Sequence, residues 1–471
     1  MPDKKIHIIF ILVLIAGILS ALIYWQGNNP TSSFTISEPG KDKQNPESRK
    51  ITEIIDIGKF FERFTPNSDE LVETWPRFRG ESFDNIKKPG IKLQDKLPEK
   101  PEILWSVELG EGHAGPAIYK GMVYLLDYDE QLKADMLRCF LLKDGKEVWR
   151  RWYPVHVKRN HGMSRTVPAV TDDYVITIGP RCHVMCVNRK TGDFLWGLDI
   201  EKEYESEVPL WYTGQCPLID GNIAVLATGG KSLIIGVDCR TGEKIWETAN
   251  PNGWKMSHSS IMPFEFNGTK MYVYAAIGGI CGIEPSTGKM IWSYEGWKPS
   301  VIAPSPVCMP DGKIFQTAGY GAGSVILELK KTGSTFETSV YQEYKPAEGL
   351  ACEQQTPVFT DGILFGIMPK DGGILRNQFV CFDPADFKTP VWSSGKEKRF
   401  GLGPFILADG KFYMLNDDGT LFIVKKSTKN YLQLDEKKLF EGHDAWAPIA
   451  IADGYMLLRD SKTMFCINIK A

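Results

Sequence analysis

Lys143-Asp144-Gly145-Lys146-Glu147-Val148-Trp149, Lys190-Thr191-Gly192-Asp193-Phe194-Leu195-Trp196, Arg240-Thr241-Gly242-Glu243-Lys244-Ile245-Trp246 and Ser286-Thr287-Gly288-Lys289-Met290-Ile291-Trp292 repeat one pattern, a turn glycine followed four residues later by tryptophan. A Thr-Gly or Asp-Gly pair between apolar runs is hairpin chemistry. An apolar run precedes each turn, as in Val184-Met185-Cys186-Val187 or Leu233-Ile234-Ile235-Gly236-Val237. Earlier still lies another strand pair around a turn, as from Pro168 to Ile178. Each copy therefore encodes four short strands.

Weaker copies continue the series. Pro306 to Phe336 carries Lys331-Thr332-Gly333, with Phe336 near the tryptophan position. Pro357 to Trp392 has a longer turn at Phe382-Asp383-Pro384, and Pro404 to Tyr431 ends with Tyr431 in place of tryptophan. Pro448 to Ile469 supplies three strands only, while Glu102-Ile103-Leu104-Trp105-Ser106-Val107 is a Trp-bearing strand with no partners before it. Trp105, Trp149, Trp196, Trp246 and Trp292 follow one another at 44, 47, 50 and 46 residues. Four strands per period of ~40–50 residues predict a β-propeller. If the first strand completes the last unit there are eight blades, and no sheet edge is left open at the seam. The expected fold is all-β, an eight-bladed propeller over 75–471. The repeated indole is expected to pack over the next blade's turn.

Length alone, 471 residues, would suggest about three domains; the repeat replaces them with one ring. Fifty-five basic against 58 acidic residues leave a charge of −3, which argues against a nucleic-acid partner. Lys4 and Lys5 precede an apolar run from Ile6 to Trp25. Twenty such residues suffice to cross ~30 Å of hydrocarbon as a helix, and Leu19-Ser20-Ala21 is a poor cleavage site. Residues 1–25 are read as an uncleaved signal anchor, a transmembrane helix with its lysines cytoplasmic and the propeller outside the cytoplasm. Residues 26–74 are read as a polar tether to about residue 50, then a short helical or mixed segment from Ile51 to Glu73.

The repeat resembles that of the pyrroloquinoline-quinone-like (PQQ-like) propeller proteins. Val237-Asp238-Cys239-Arg240-Thr241-Gly242-Glu243-Lys244-Ile245-Trp246 is similar to their Ala-x-Asp-x-x-x-Gly-x-x-x-Trp docking pattern, and Trp75-Pro76-Arg77-Phe78-Arg79-Gly80 to their W-P-x-F-R-G lead-in. The resemblance covers about 75–471 and implies the fold. The superfamily holds quinoprotein dehydrogenases and also non-enzymatic scaffolds of the BamB type. The resemblance to quinoprotein alcohol dehydrogenases implies a vicinal Cys-Cys disulfide over the cofactor, yet no two of the ten cysteines are adjacent, and no C-x-x-C-H haem site occurs. A lipobox cysteine, implied by the BamB-type resemblance, is also missing, since the first cysteine is Cys139. Cys139, Cys186, Cys381 and Cys466 share a repeat register that Gly236, Gly282 and Leu327 fill elsewhere. They are therefore expected to be buried free thiols.

Each blade's first strand lines the central channel, so the residues just before it gather at one mouth. Those junctions hold His113, His161, Arg165, Trp211, Gln215, Trp254, His258, Gln355, Arg399, His443 and Trp446. Four of the seven histidines fall there, and His156 and His183 do not. Such a ring is the expected ligand-binding site, in which Trp or Tyr stacks a planar group and Arg165 or Arg399 holds a carboxylate. Glu353 and Asp444 are the carboxylates available as a catalytic base or as Ca²⁺ ligands; no metal-binding motif is present. The expected function is a non-catalytic binding scaffold, anchored in the inner membrane and facing the periplasm or the outside, for an envelope protein or small ligand. The alternatives are a dehydrogenase of alcohols or sugars using PQQ with Ca²⁺ near Arg165, Gln215, His258, Gln355 and Asp444, and a glycan-binding module using Trp211, Trp254 and Trp446.

Overall fold

The computed structural model describes residues 3–27, 54–65 and 71–471. Asp3–Gly27 is one helix, and its His7–Gly27 stretch has a mean hydropathy of 2.7 over 21 residues, long and apolar enough to cross a membrane. The second compact unit runs Ile55–Ala471. Residues 28–50 of the expected tether lie outside the described residues. Within the segment expected to be helical or mixed, Phe60–Arg63 is a strand, paired antiparallel with the outermost strand of the first blade.

Eight antiparallel sheets form the ring. A regular blade is the third, with strands Leu218–Asp220, Ile223–Ala227, Ser232–Asp238 and Lys244–Ala249 in sequential order from the channel outward. The ring closes as expected: Ile103–Glu108 pairs antiparallel with Thr463–Asn468, placing Trp105 opposite Cys466.

The repeated tryptophan works between blades. A Cβ added to the turn glycines 145, 192, 242 and 288 would approach the rings of Trp105, Trp149, Trp196 and Trp246 to 2.6, 2.8, 2.7 and 2.4 Å. Each indole thus lies flat on the next blade's turn, where a φ of +70° to +75° also favours glycine. The indole N–H of Trp105 donates to Leu142 O at 2.9 Å, that of Trp196 to Cys239 O at 2.8 Å, and that of Trp392 to Ser427 O at 2.9 Å. Opposite each tryptophan stands a cysteine or glycine, as in Cys186–Trp196 and Gly236–Trp246. All ten cysteines are free, and nine are buried.

Blades 5 and 7 depart from the expected register. A β-bulge follows the tryptophan site in the regular blades, and the same bulge places Gln342 opposite Ile326 and Asp435 opposite Ile423. Phe336 and Tyr431 therefore do not occupy that site, and Ile326 rather than Leu327 holds the cysteine register. Other rings pack here: Phe440 stacks on Phe465 at 4.1 Å, and Tyr431 receives Trp392 at 5.9 Å.

A second belt stitches the channel wall. Val167 N donates to Cys216 Sγ (3.2 Å), Cys216 N to Ser260 Oγ (2.9 Å), Ser260 N to Ser305 Oγ (3.1 Å) and Ser305 N to Thr356 Oγ1 (2.8 Å). Each link joins the residue before one blade's first strand to its equivalent in the next, satisfying buried amides that have no ladder partner.

The W-P-R-F-R-G stretch lies across the centre. Thr74–Trp75 pairs with Ala117–Tyr119 in blade 1, and Ile86–Lys87 runs parallel to Phe405–Ala408 in blade 7. Between them Arg77 donates to Ile219 O in blade 3. Buried Arg79 donates to Thr356 O and Pro357 O in blade 6, and to Phe83 O and Asp84 O. The segment crosses the channel as a plug and reaches Thr356 and Pro357, where blade 6's first strand begins.

Two stability predictions arise from these contacts. Trp196→Ala should cost about 3–5 kcal/mol in chemical denaturation, and Gly242→Ala should also destabilise, because it meets both the indole and a φ of +75°. Between blades 1 and 2, burial raises the Asp135 carboxyl to about 7 from its ordinary 3.8, against the hydrogen bond from Tyr153 Oη at 2.7 Å. Below pH 3.8 both folded and unfolded chains hold that proton; up to about pH 7 only the folded chain does. Its contribution therefore falls as pH rises through this window, by about tenfold in the folding equilibrium per pH unit, and levels off above. Melting curves of Asp135→Asn should show the variant gaining on the wild type from pH 4 to 7, with no further gain beyond.

Candidate functional site

In an up-and-down blade the junctions before the first strand and the turns between the second and third strands reach the same rim. The expected ring took only the junctions. The turns add Tyr320 in blade 5, the Met368–Gln378 loop of blade 6 with Lys370 and Asn377, and Asp417 in blade 7.

These residues form a connected circuit around the mouth. Arg165 Nε donates to Trp211 O at 2.5 Å, and its Nη2 to His161 O at 2.6 Å and Asn160 O at 3.1 Å. His161 O also accepts His113 Nε2–H at 3.1 Å. The His113 ring stacks on Trp446 at 4.9 Å, and Trp446 Nε1 donates to Asp417 Oδ1 at 3.0 Å. On the other side Trp211 stacks between His258 at 6.3 Å and Tyr320 at 5.6 Å. Lys370 Nζ lies 5.3 Å from the Tyr320 ring centre and 3.2 Å from Glu353 Oε1. Glu353 and Asp417 line one cleft of ≈ 160 Å³, which completes the circuit.

The electrostatics divide the mouth. Burial, with Arg165 and Arg459 nearby, pushes His113 down to about 3; burial and Arg165 bring His258 down to about 4. Both rings are neutral at physiological pH. His113 Nε2 carries the hydrogen it donates to His161 O, and its Nδ1 is buried. Burial lowers Arg165 to about 10, so it stays charged. Among the described residues no carboxylate pairs with it. Trp211, Tyr212 and Tyr320 adopt φ of +60°, +73° and +57°, uncommon for bulky side chains.

Several expected members have other work. Gln215 is fully buried and clamps Ala227 through both amide atoms (Nε2 to O 2.6 Å, N to Oε1 3.0 Å). Trp254 is buried against Gly278 and Gly279 in the packing of blade 4, so it is not a mouth residue. Arg399 donates to Lys396 O in its own loop and to Arg376 O in the Met368–Gln378 loop, tying the two together. The His161 ring is exposed, and that residue acts through its carbonyl. His443 is exposed and lies 3.2 Å from Asp444, its neighbour in sequence. Gln355 lines the cleft while donating to Leu402 O at 3.1 Å.

The donor set at the mouth does not fit PQQ with Ca²⁺. Among the described residues no three His, Cys, Asp or Glu side chains are grouped to hold a metal. Glu353 is tied to Lys370, and Asp444 adjoins His443 rather than Glu353. Every cysteine is a separate free thiol. The clefts at Glu353 and at His258 measure ≈ 160 and ≈ 140 Å³, below the ~300–1,000 Å³ usual for a bound small molecule.

Solved structures share the architecture at low identity. BamB from Moraxella catarrhalis superposes with a TM-score of 0.52 at 12% identity, over 78% of this chain and 98% of that one. The quinohemoprotein alcohol dehydrogenase ADHIIG from Pseudomonas putida HK5 gives 0.58 at 11%, over 85% and 81%. That from Comamonas testosteroni gives 0.57 at 11%, over 84% and 81%. These likenesses show the fold. No curated protein matches the chain in sequence. A family model described as outer membrane protein assembly factor BamB matches residues 133–386, more than half of the chain, and with its eight-bladed ring the protein belongs to that PQQ-like propeller family.

Proposed function

We propose that the protein is a membrane-tethered, extracytoplasmic binding scaffold that engages an envelope protein or ligand at the channel mouth without turning it over. The observation that carries this reading is Arg165: a half-buried guanidinium held by three backbone carbonyls, with no carboxylate pair among the described residues, beside the stacked rings of Trp211, Tyr320 and His258. A cation fixed this way keeps its Nη1 amino group for a carboxylate, and the rings offer a flat apolar surface next to it. The Asp3–Gly27 helix, with Lys4 and Lys5 at its start, supports tethering in the inner membrane with the propeller in the periplasm.

Tyr320 is the residue to change, because it is exposed and its backbone favours Asn. Tyr320→Asn should leave the melting temperature within about 2 °C of wild type, the scale of a neutral surface change. It should sharply reduce partner recovery after crosslinking in envelope preparations; unchanged recovery would count against this surface. Purified protein with PQQ and Ca²⁺ should give no substrate-dependent dye reduction with alcohols or aldoses. Turnover lost in Asp444→Ala would establish the dehydrogenase instead. NMR of the imidazoles should show His113 and His258 neutral throughout pH 5–8, so recognition at Arg165 should not switch with pH in that range.

A further inference from the structure

The cleft between blades 6 and 7, beside Tyr320 of blade 5, differs in sign from the Arg165 side of the mouth. It is lined by Glu353, Gln355, Lys370, Asn377 and Asp417. Glu353 is 8% exposed; its Oε1 meets Lys370, and its buried Oε2 has no hydrogen-bond partner among the described residues. Asp417 Oδ1 is engaged by Leu402 N at 2.9 Å and by Trp446 Nε1. Two carboxylates therefore face the cleft, and the cation that lines it, Lys370, arrives on a side chain 67% exposed. A buried carboxylate oxygen without a donor is costly, and a charged donor is its natural complement. The ≈ 160 Å³ of space suits the head of one amino-acid side chain rather than a fused-ring molecule.

We propose that this cleft receives a basic side chain, a guanidinium or ammonium group presented by a protein partner, which takes the place of Lys370 on Glu353. The proposal rests on the scaffold reading and specifies its partner: one that offers a cation to the cleft between blades 6 and 7 and an anion to Arg165. Lys370 then acts as an internal stand-in. It neutralises Glu353 in the free protein and swings out over Tyr320 into solvent when the partner's cation arrives.

The test uses the full chain with N-acetyl-arginine amide, N-acetyl-lysine amide and neutral N-acetyl-citrulline amide, followed by saturation-transfer NMR. The two cations should bind, and citrulline should bind roughly tenfold more weakly or not at all. Glu353→Gln should weaken arginine binding roughly tenfold. Lys370→Gln, a surface change that leaves folding intact, should strengthen it by removing the competitor. Citrulline binding as well as arginine, or Lys370→Gln weakening the interaction, overturns the proposal. Displacement of arginine by Ca²⁺ in the millimolar range would assign the cleft to a metal and overturn it too. If arginine fails to bind while Tyr320→Asn still loses the partner, the cleft assignment falls alone; if Tyr320→Asn retains the partner, the scaffold reading falls whatever arginine does.

Discussion

The structure depends on one antiparallel pairing between segments more than 350 residues apart, Ile103–Glu108 on Thr463–Asn468. Without it, blade 8 has three strands, Trp105 has no cysteine opposite it, and the glycine turn at Gly145 loses the indole that covers it. Contacts between the outer strands of successive blades alone would permit an open, twisting array; the closure and the plug across the centre do not. The closure turns that array into a ring, and only a ring brings the junctions of blades 8 and 1 together. His113 of blade 1 stacks on Trp446 of blade 8 across this seam. The mouth is thus a consequence of closure.

Three layers of contact hold the ring at three radii. Tryptophans dock on turn glycines at the outer strands, a relay of thiol and hydroxyl groups links first strands along the channel wall, and the plug ties blades 1, 3, 6 and 7 through the centre. The layers fix different things. The outer indoles set the spacing between blades, the relay satisfies amides that strand ladders leave unpaired, and the plug fills the centre between blades 1, 3, 6 and 7.

Much of the fold was legible because its devices are periodic. A tryptophan four residues after a turn glycine needs a flat partner at a fixed distance, and that need recurs each period. Blades 5 and 7 were misregistered because Gln342 and Asp435 stand at the docking site and carry no indole to mark it. The site was legible only in part. Junction residues cluster in sequence, so the common rim of His113, Arg165, Trp211, His258 and Trp446 can be read from their positions before the first strands. Tyr320, Lys370 and Asp417 come from turns between second and third strands, marked in sequence by Gly319-Tyr320-Gly321, Lys370-Asp371-Gly372-Gly373 and Asn416-Asp417-Asp418-Gly419, but with no shared motif that aims them at one rim. Gln215 and Trp254 misled because a polar or aromatic residue before a strand can serve the strand itself, and composition cannot tell an amide that clamps Ala227 from one that meets a ligand.

Arg165 must be weighed against the other buried arginines, since this fold repeatedly uses guanidinium groups to gather carbonyls. Arg79 donates to four of them in the plug, and Arg459 to Ala114 O and Gly110 O beneath the His113 loop; burial lowers both to about 10, as it does Arg165. By that measure Arg165 is one more brace. It differs in position and surroundings: Arg79 and Arg459 are buried within the ring, whereas Arg165 is partly open at the rim, flanked by rings whose backbone is held in the left-handed region. A brace needs carbonyls alone. The stacked wall of Trp211 and Tyr320 adds nothing to bracing, and with the acidic cleft across the mouth it gives the surface two poles of opposite sign, an arrangement suited to a partner that carries both charges.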